Sequence, residues 1–400
     1  MTGTQERERE LVEALRKSEL DGEALARQRT LETVRAAYAE HEPRRRRRRW
    51  TAALVTAASL TVAAVIGLTP AGADFRQWVE DTIDPQSTNP RPELTRLPGG
   101  GTLLAQSRDG ATVVQADGSR RFLGAFSATS WSPHGLNIAT ADGGTLAAVD
   151  PAGTLHWSIS AGAKVRFPAW SQDLGYRVAY ISGGTLKVVA GDGTGDHALA
   201  AAANVAPAWR GQTDRVLAFV DGEGDIRLID VDRGRTLGRI AAPDGVRGLA
   251  WSGDGVRLLA FSPRDVQVSE GDGEGLSRWR APAGAEVADA VFLGDGERIA
   301  LVQTRSDRDR TASSTVSIFE PGARGGSPQV IFRTPGRLRG LALSPDGSRI
   351  VVGWKDADQW LFLEPKPGGD VRAVDNVSAQ LAPGRAQAPF AAPSGWCCSR

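Results

Sequence analysis

The residues best suited to catalysis or metal binding are few and scattered in this chain of 400 residues. The four histidines are His41, His134, His156 and His197. No two of them form an H-E-x-x-H zinc motif, and neither a G-x-S-x-G nucleophile elbow, an S-x-x-K pair nor a Walker-type phosphate loop occurs. The sequence therefore predicts a protein without enzymatic activity, bound metal or cofactor.

Two loops rich in Asp and Gly, GDGTGDH at 191–197 and DGEGD at 221–225, have some likeness to phosphate or calcium loops. Neither has the spaced carboxylates of a calcium loop or the strand-to-helix context of a dinucleotide site. Ten Asp-Gly pairs lie between residues 101 and 347, and such pairs are typical of tight hairpin turns. We interpret both loops as turns. The same interpretation covers Asp230, Asp232, Asp307 and Asp309.

The only two cysteines, Cys397 and Cys398, are adjacent near the C-terminus. Adjacent Cα atoms lie about 3.8 Å apart, which is below the usual range for a disulfide, so an internal bridge is disfavoured. The sequence predicts that residues 385–400 form a solvent-exposed tail. A redox or linking role for the cysteine pair is the alternative.

A repeat with a period near 40 residues runs through the C-terminal two thirds of the chain. Its units share a large apolar residue before a turn and a strand, as in AWSGDGVRLLAF. These anchor residues are Trp131, Trp170, Trp209, Trp251, Phe292 and Leu343, with spacings of 39, 39, 42, 41 and 51. Strand-rich repeats of this length are typical of propeller blades, because each small sheet must cover its neighbour.

The segment from Ser344 to Ile350, SPDGSRI, resembles the WSPDGxxIA signature of the TolB-type (PD40, WD40-like) propeller repeat. The resemblance covers residues 101–384, and it implies a platform for binding or scaffolding without catalytic residues. The tryptophans could also be interpreted as a ligand-stacking set. Because there is one in each repeat at an equivalent position, we interpret them as packing between blades.

Six anchored units and one split unit predict an all-β fold with a seven-bladed propeller over residues 101–384. Residues 101–124 match the last three strands of a unit, and the segment after residue 372 matches a first strand. We predict that the ring closes by pairing residues 374–382 with residues 102–107, which removes an open sheet edge.

A run of six arginines precedes a stretch without any charge, from Trp50 to Ala73. The run consists of Arg44, Arg45, Arg46, Arg47, Arg48 and Arg49. Arginines at one end of an apolar helix stay in the cytoplasm, and Trp favours the membrane interface. We therefore predict a transmembrane helix over 44–73, with the propeller outside the cell. Cleavage after Ala73 and a buried core helix are the alternatives, and the sequence does not favour nucleic-acid binding.

The residues before the arginines, 1–43, predict a helical cytoplasmic arm too small to bury a core. Its apolar stripe is formed by Leu11, Leu15, Leu31, Val34 and Tyr38. Such a stripe suits docking to a partner helix, and a solvated spacer is the alternative. Residues 74–100 predict a short juxtamembrane amphipathic helix followed by a linker rich in Pro and Gly.

These features together predict a single-pass membrane protein whose outer propeller binds a protein or ligand and signals through its arm. In architecture alone, the arrangement resembles membrane-bound anti-sigma regulators. An exported hydrolase or lyase that uses the channel of the propeller is one alternative, and a purely structural envelope protein is another.

Overall fold

The computed structural model describes residues 93–398. Short gaps fall at positions 173, 175, 214, 272, 274, 276 and 295 and at 307–311, 323–325 and 383–386. Within these residues, 28 β-strands form seven four-stranded antiparallel sheets. This arrangement confirms the prediction of an all-β, seven-bladed propeller. The predicted arm, transmembrane segment and most of the linker lie outside the described residues.

Each blade is one meandering sheet, and blades are numbered here in chain order. Blade 1 combines β1 (Thr102–Ser107), β2 (Gly110–Val114) and β3 (Arg120–Gly124) with the last strand, β28 (Ala392–Cys397). Blade 2 is β4 (Ala128–Trp131), β5 (Ile138–Asp142), β6 (Thr145–Val149) and β7 (Leu155–Ser160). Blade 3 is β8 (Val165–Trp170), β9 (Arg177–Ser182), β10 (Thr185–Ala190) and β11 (His197–Ala201).

The remaining four blades follow the same order. Blade 4 is β12 (Ala208–Trp209), β13 (Val216–Val220), β14 (Ile226–Asp230) and β15 (Arg235–Ile240). Blade 5 is β16 (Gly248–Trp251), β17 (Arg257–Phe261), β18 (Asp265–Glu270) and β19 (Ser277–Arg280). Blade 6 is β20 (Ala285–Phe292), β21 (Ile299–Ser306), β22 (Ala312–Phe319) and β23 (Gln329–Pro335). Blade 7 is β24 (Leu338–Leu343), β25 (Ile350–Trp354), β26 (Gln359–Leu363) and β27 (Val371–Val374).

The hydrophobic core lies between the blades. Every residue of β2, β25 and β26 is buried, because the middle strands of a blade are covered by a neighbouring blade on both faces. The outermost strands instead alternate between exposed and partly buried residues, as in β7. The apolar clusters accordingly join residues of adjacent blades, and Trp209 packs with Ala179 and Leu217.

The ring closes through a split blade, as predicted, but the closing strand is not the predicted one. β28 pairs with β1 in antiparallel register, with Leu103 opposite Trp396 and Ala105 opposite Pro393. The pairing shifts by one residue at Ser394, where β28 bulges. Pro393 is tolerated because an innermost strand bonds to only one neighbour, so a missing N–H can face away from the sheet.

The segment predicted to close the ring, 374–382, has a different structure. Val374 ends β27, and Val377–Leu381 forms a short helix, α1, after Asn376 adopts a left-handed conformation with φ of 51°. Val377 and Leu381 are both buried, since residues four apart share one helical face. This helical spacing is the physical reason why the strand prediction is wrong.

Helix α1 packs against the segment that precedes β1, at the start of the described residues. Leu94 and Leu97 are buried in the same cluster as Val377 and Leu381. The guanidinium of Arg120 donates hydrogen bonds to the backbone oxygens of Gln380 (2.6 Å) and Leu94 (3.2 Å). The entry segment is therefore fixed to blade 1 and to the residues that follow blade 7.

Candidate functional site

The seven innermost strands, one per blade, surround the central channel: β28, β4, β8, β12, β16, β20 and β24. The turns that follow them meet at one end of the ring. The Arg210 Nε atom, after β12, donates to the Gly255 oxygen after β16 (2.7 Å), and Arg257 Nη1 donates to Gly296 oxygen (3.4 Å). We call this end the lower face and the opposite end the upper face.

The anchor residues all lie at the lower face. Each is the last residue of an innermost strand: Trp131 of β4, Trp170 of β8, Trp209 of β12, Trp251 of β16, Phe292 of β20 and Leu343 of β24. All are buried or partly buried. In blade 1, Cys397 ends β28 and so occupies the seventh equivalent position.

The prediction of an exposed cysteine tail is therefore wrong. Cys397 is buried, and it is disulfide-bonded to Cys398. Consecutive side chains of an ideal strand point to opposite faces, but Cys398 has a left-handed backbone (φ 49°), so the strand ends between the two residues. The Cys398 Sγ atom lies 3.2 Å from the carbonyl oxygen of Pro133 in blade 2.

The indole N–H groups of the anchors fall into two groups. Trp209 Nε1 donates to the Ala169 oxygen (2.9 Å) and Trp251 Nε1 donates to the Ala208 oxygen (3.2 Å), each in the preceding blade. The buried Nε1 atoms of Trp131 and Trp170 have no hydrogen-bond partner in the described part of the chain. Buried donors in this state are rare, since each costs desolvation free energy.

A cavity of about 760 Å³ opens at the lower face between blades 1, 2, 3 and 7. Its lining includes Thr129, Trp131, His134, Gln172, Pro345, Trp396, Cys397 and Cys398. The orphan indole of Trp131 borders this cavity, and so does Thr129, whose buried hydroxyl also lacks a partner. Both of these polar atoms are themselves buried behind the lining of the cavity.

A groove of about 1010 Å³ lies beside this cavity, across the turns of blades 1, 2 and 3. Leu136 and Trp157 contribute apolar surface, while Arg121, Asp150 and Asp192 supply charge. The Trp157 indole is satisfied, since it donates to the Gly191 oxygen (2.7 Å).

Large apolar side chains are exposed on the turns around the groove. Leu136, in the turn after β4, is 65% exposed, and Tyr176, in the turn after β8, is 63% exposed. Leu174 and Leu155 are also exposed there. Elsewhere, single exposed residues such as Leu237 and Val330 lie on outermost strands of separate blades. Grouped exposed apolar residues, unlike scattered ones, indicate an interaction surface.

The acidic loop at 221–225 is a hairpin turn, as interpreted from the sequence. The carboxylates of Asp221, Glu223 and Asp225 lie close together, but they form ion pairs with Arg227 and Arg239. The Asp221 carboxylate also accepts the backbone N–H groups of Glu223 and Asp225 (both 3.0 Å). These partners account for the cluster without a metal ion.

The structure brings no catalytic set together from the residues that it describes. His134 lines the lower cavity, His156 lines the groove, and His197 lies in the outermost strand of blade 3. The arginines at 44–49, Trp50 and the arm residues lie outside the described part. Among described helices, none has the length and apolar character needed to cross a membrane.

Comparison with known proteins supports the fold. The sequence matches no protein-family profile and no curated protein. The C-terminal WD40 domain of Sif2 aligns with a TM-score of 0.51 and 15% identity, over 71% of this chain and 86% of that chain. Hsv2 of Kluyveromyces lactis aligns with a TM-score of 0.50 and 11% identity, over 66% of this chain and 90% of that chain. Hydrazine synthase of Kuenenia stuttgartiensis aligns with a TM-score of 0.48 and 17% identity, over 59% of this chain and 76% of that chain.

At these identities the likeness shows the fold alone. The chain contains a WD40-like seven-bladed β-propeller.

Proposed function

We propose that this protein is a membrane-anchored, non-enzymatic scaffold whose propeller binds a protein partner through its lower face. The observation that carries the proposal is the set of exposed apolar side chains Leu136, Leu174 and Tyr176 on the turns of two adjacent blades. Arg121, Asp150 and Asp192 flank the neighbouring groove. An apolar centre with a polar rim is the usual composition of a protein interface.

The cavity at the lower face is a second reason to assign partner binding to that face. His134, Gln172 and Pro345, from the turns of three blades, line this cavity and leave a recess that can receive a partner side chain. Tyr and Trp contribute strongly to binding because they combine a large apolar surface with one polar atom. Tyr176, which is exposed on the lower face, is a residue of this type.

Site-specific photo-crosslinking in intact cells tests this proposal. A benzophenone amino acid replaces Leu136 or Tyr176 in the full-length protein, and matched variants carry it at Leu237 or Val330. All four positions are exposed, but the last two lie on outermost strands of blades 4 and 6. We expect a discrete protein adduct from the lower-face positions and none from the other two.

The same experiment with Leu174→Glu in the background should abolish the adduct, because a charge in the apolar centre opposes its desolvation. Adducts of equal yield at all four positions, or an adduct insensitive to Leu174→Glu, would contradict the assignment of the lower face.

The anchor and the arm are further parts of the proposal. The six arginines before the uncharged segment support a single span over 44–73 with a cytoplasmic N-terminus. The apolar stripe on the arm supports docking to a cytoplasmic helix, so that binding outside is coupled to the inside. The SPDGSRI segment at Ser344–Ile350 supports placement among TolB-type repeats.

Replacing Leu11, Leu15, Leu31 and Val34 with Ser tests the arm directly. We expect the wild-type arm to recover a specific cytoplasmic protein in a pulldown that the substituted arm does not recover. Equal recovery from both would remove the coupling from the proposal and leave the scaffold untouched.

A further inference from the structure

The upper face carries a second cavity, separate from the proposed partner-binding face. It has a volume of about 580 Å³ and lies at the amino-terminal ends of the innermost strands of blades 5, 6 and 7. Three arginines line it: Arg247 before β16, Arg337 before β24 and Arg339 within β24. Glu286 and Asp289 of β20 are its acidic residues.

Some arginines of the propeller form ion pairs, whereas among the described residues the three at this cavity are exposed side chains without one. Arg227 binds Asp221 (2.6 Å), and Arg349 lies 3.4 Å from Glu364 and 3.3 Å from Asp370. In the described part of the chain, the guanidinium groups at the upper cavity make no ion pair and no hydrogen bond to a protein group. Three unpaired guanidinium groups around one cavity create a positive potential that favours anions.

Two β-bulges shape the wall of this cavity. In β20 the register shifts at Ala288, next to Asp289, and in β24 it shifts at Gly340, next to Arg339. Bulges reorient neighbouring side chains and are frequent beside binding sites. Gly340 has φ of 68°, and a Cβ atom there would lie 2.2 Å from the Pro393 oxygen, so this bulge requires glycine.

The carboxyl of Asp289 connects the two bulges. It accepts the backbone N–H of Ala290 (2.9 Å) in its own strand and that of Leu341 in β24. This contact links the two bulged strands next to Arg339.

We propose that the upper cavity binds a small oxyanion, a carboxylate or a phosphoryl group, between Arg247, Arg337 and Arg339. Guanidinium groups bind such oxygens with paired, charge-assisted hydrogen bonds. The hydroxyl of the exposed Ser306 lines the same cavity and can donate to a remaining oxygen, whereas the Thr304 hydroxyl donates to Ser314. A volume of this size suits a small metabolite.

Asp289 makes the binding dependent on pH. Burial raises the pKa of its carboxyl to about 7, although two backbone N–H groups oppose the shift. The charged residues that share this cavity with Asp289 are Glu286 and the three arginines, and Asp356 lies beside Arg337, whose backbone N–H it accepts. Strand β21 contributes only neutral side chains. A protonated carboxyl can donate a hydrogen bond to the anion, whereas the ionised form repels it.

Calorimetric titration of the full-length protein in neutral detergent tests the proposal, with inorganic phosphate and citrate as separate probes. We expect saturable binding of at least one probe with a Kd below about 1 mM in about 0.15 M chloride. The probe that binds more tightly identifies the phosphoryl or the carboxylate class. Because both probes also ionise in this pH range, the comparison is between proteins: as the pH rises through about 7, the affinity of the wild type should fall relative to that of Asp289→Asn for the same probe.

Arg339→Gln and Arg247→Gln should each weaken binding by about tenfold or more, since each removes a charge-assisted contact. Arg264→Gln is the matched control, because Arg264 is exposed in the upper-face turn between β17 and β18 but does not line the cavity. The absence of saturable binding for both probes, or equal affinity in Arg339→Gln and wild type, would overturn the proposal.

Discussion

Ser344 and Asp346 form the turn of the repeat signature in blade 7. The Ser344 hydroxyl donates to Asp346 Oδ1 (2.5 Å) and accepts the backbone N–H of Arg349 (2.9 Å). Asp346 in turn accepts the N–H of Ser348 (3.0 Å), and Gly347 takes a φ of 69°. Ser252 and Asp254 repeat these contacts in blade 5. The signature is therefore a hydrogen-bonded turn that joins the two inner strands of a blade.

Asp346→Asn should lower the free energy of unfolding at neutral pH by about 1 kcal/mol, the typical net value of a hydrogen bond. The Ser344 hydroxyl, and then the Ser348 N–H, hold the pKa of Asp346 below its ordinary value of 3.8. The ionised carboxylate thus stabilises the fold above that value, and its contribution is lost as the pH falls through the lowered pKa. Urea unfolding at neutral and acid pH measures both effects.

Asp244→Asn is the control for this substitution, because Asp244 is an exposed loop residue. Equal stability of Asp346→Asn and Asp244→Asn at neutral pH would show that the turn contacts do not stabilise the blade.

Tyr180 makes a partly buried polar contact in blade 3. Its side chain is fully buried, and its hydroxyl donates to Asp196 Oδ1 (2.5 Å), while Lys187 Nζ lies 2.6 Å from Oδ2. Burial first, and then Asp196, raise the pKa of Tyr180, so the phenol remains a neutral donor. Tyr180→Phe should lower the thermal midpoint and cost about 2 kcal/mol, since it removes a hydrogen bond to a charged group.

Tyr176→Phe is the matched control, because Tyr176 is exposed on the lower face. We expect its thermal midpoint to equal that of the wild type. A Tyr180→Phe protein that also melts like the wild type would show that Lys187 alone satisfies Asp196.

Strand β28 closes the ring, so its removal should affect every blade. Deleting residues 391–400 leaves the edge of β1 unpaired and uncovers Trp131 and β24, which β28 contacts. We expect loss of the cooperative thermal transition of the full propeller, followed by circular dichroism. Deleting only residues 399–400 is the control, since the ordered strand ends at Cys397. An unchanged transition after the longer deletion would place the closure elsewhere.

The closing strand also marks the limit of what the sequence could predict about elements. Blades 2 to 7 each repeat an anchor and a turn within about 40 residues, so local pattern suffices to locate them. β28 has none of these features, because Pro393 and Gly395 weaken its strand propensity and Cys397 replaces the large anchor. Only its pairing with a strand almost 300 residues earlier defines it.

At the scale of the whole molecule, features that arise within one repeat could be predicted from the sequence, and features that form between distant segments could not. The number of blades follows from spacing, because each repeat packs mainly against its neighbours. The two candidate faces could not be predicted, since Leu136 and Tyr176 lie on turns of different blades and the cavity lined by Arg247 and Arg339 is formed by three blades. The bulges that direct Arg339 and Asp289 likewise leave no signal in the sequence beyond a glycine at position 340.

The propeller should be releasable from the membrane as an intact ring. All strands of the described fold lie between residues 102 and 397, and blade 1 is completed by β28 and not by any earlier segment. With the predicted span at 44–73, protease added to spheroplasts should cut between residues 74 and 92 and release a folded fragment. Residues 1–49 should remain protected inside, as an antibody against the arm would show.

Detergent lysis before proteolysis is the control, and it should make the arm sensitive while the ring persists, since hairpin turns in closed sheets resist cleavage better than linkers. Protection of the propeller in intact spheroplasts would reverse the topology and place the lower face in the cytoplasm. The arginine run predicts only the orientation of the span in the membrane. The protease experiment therefore tests on which side of the membrane the partner binds, and its outcome does not affect the assignment of the fold.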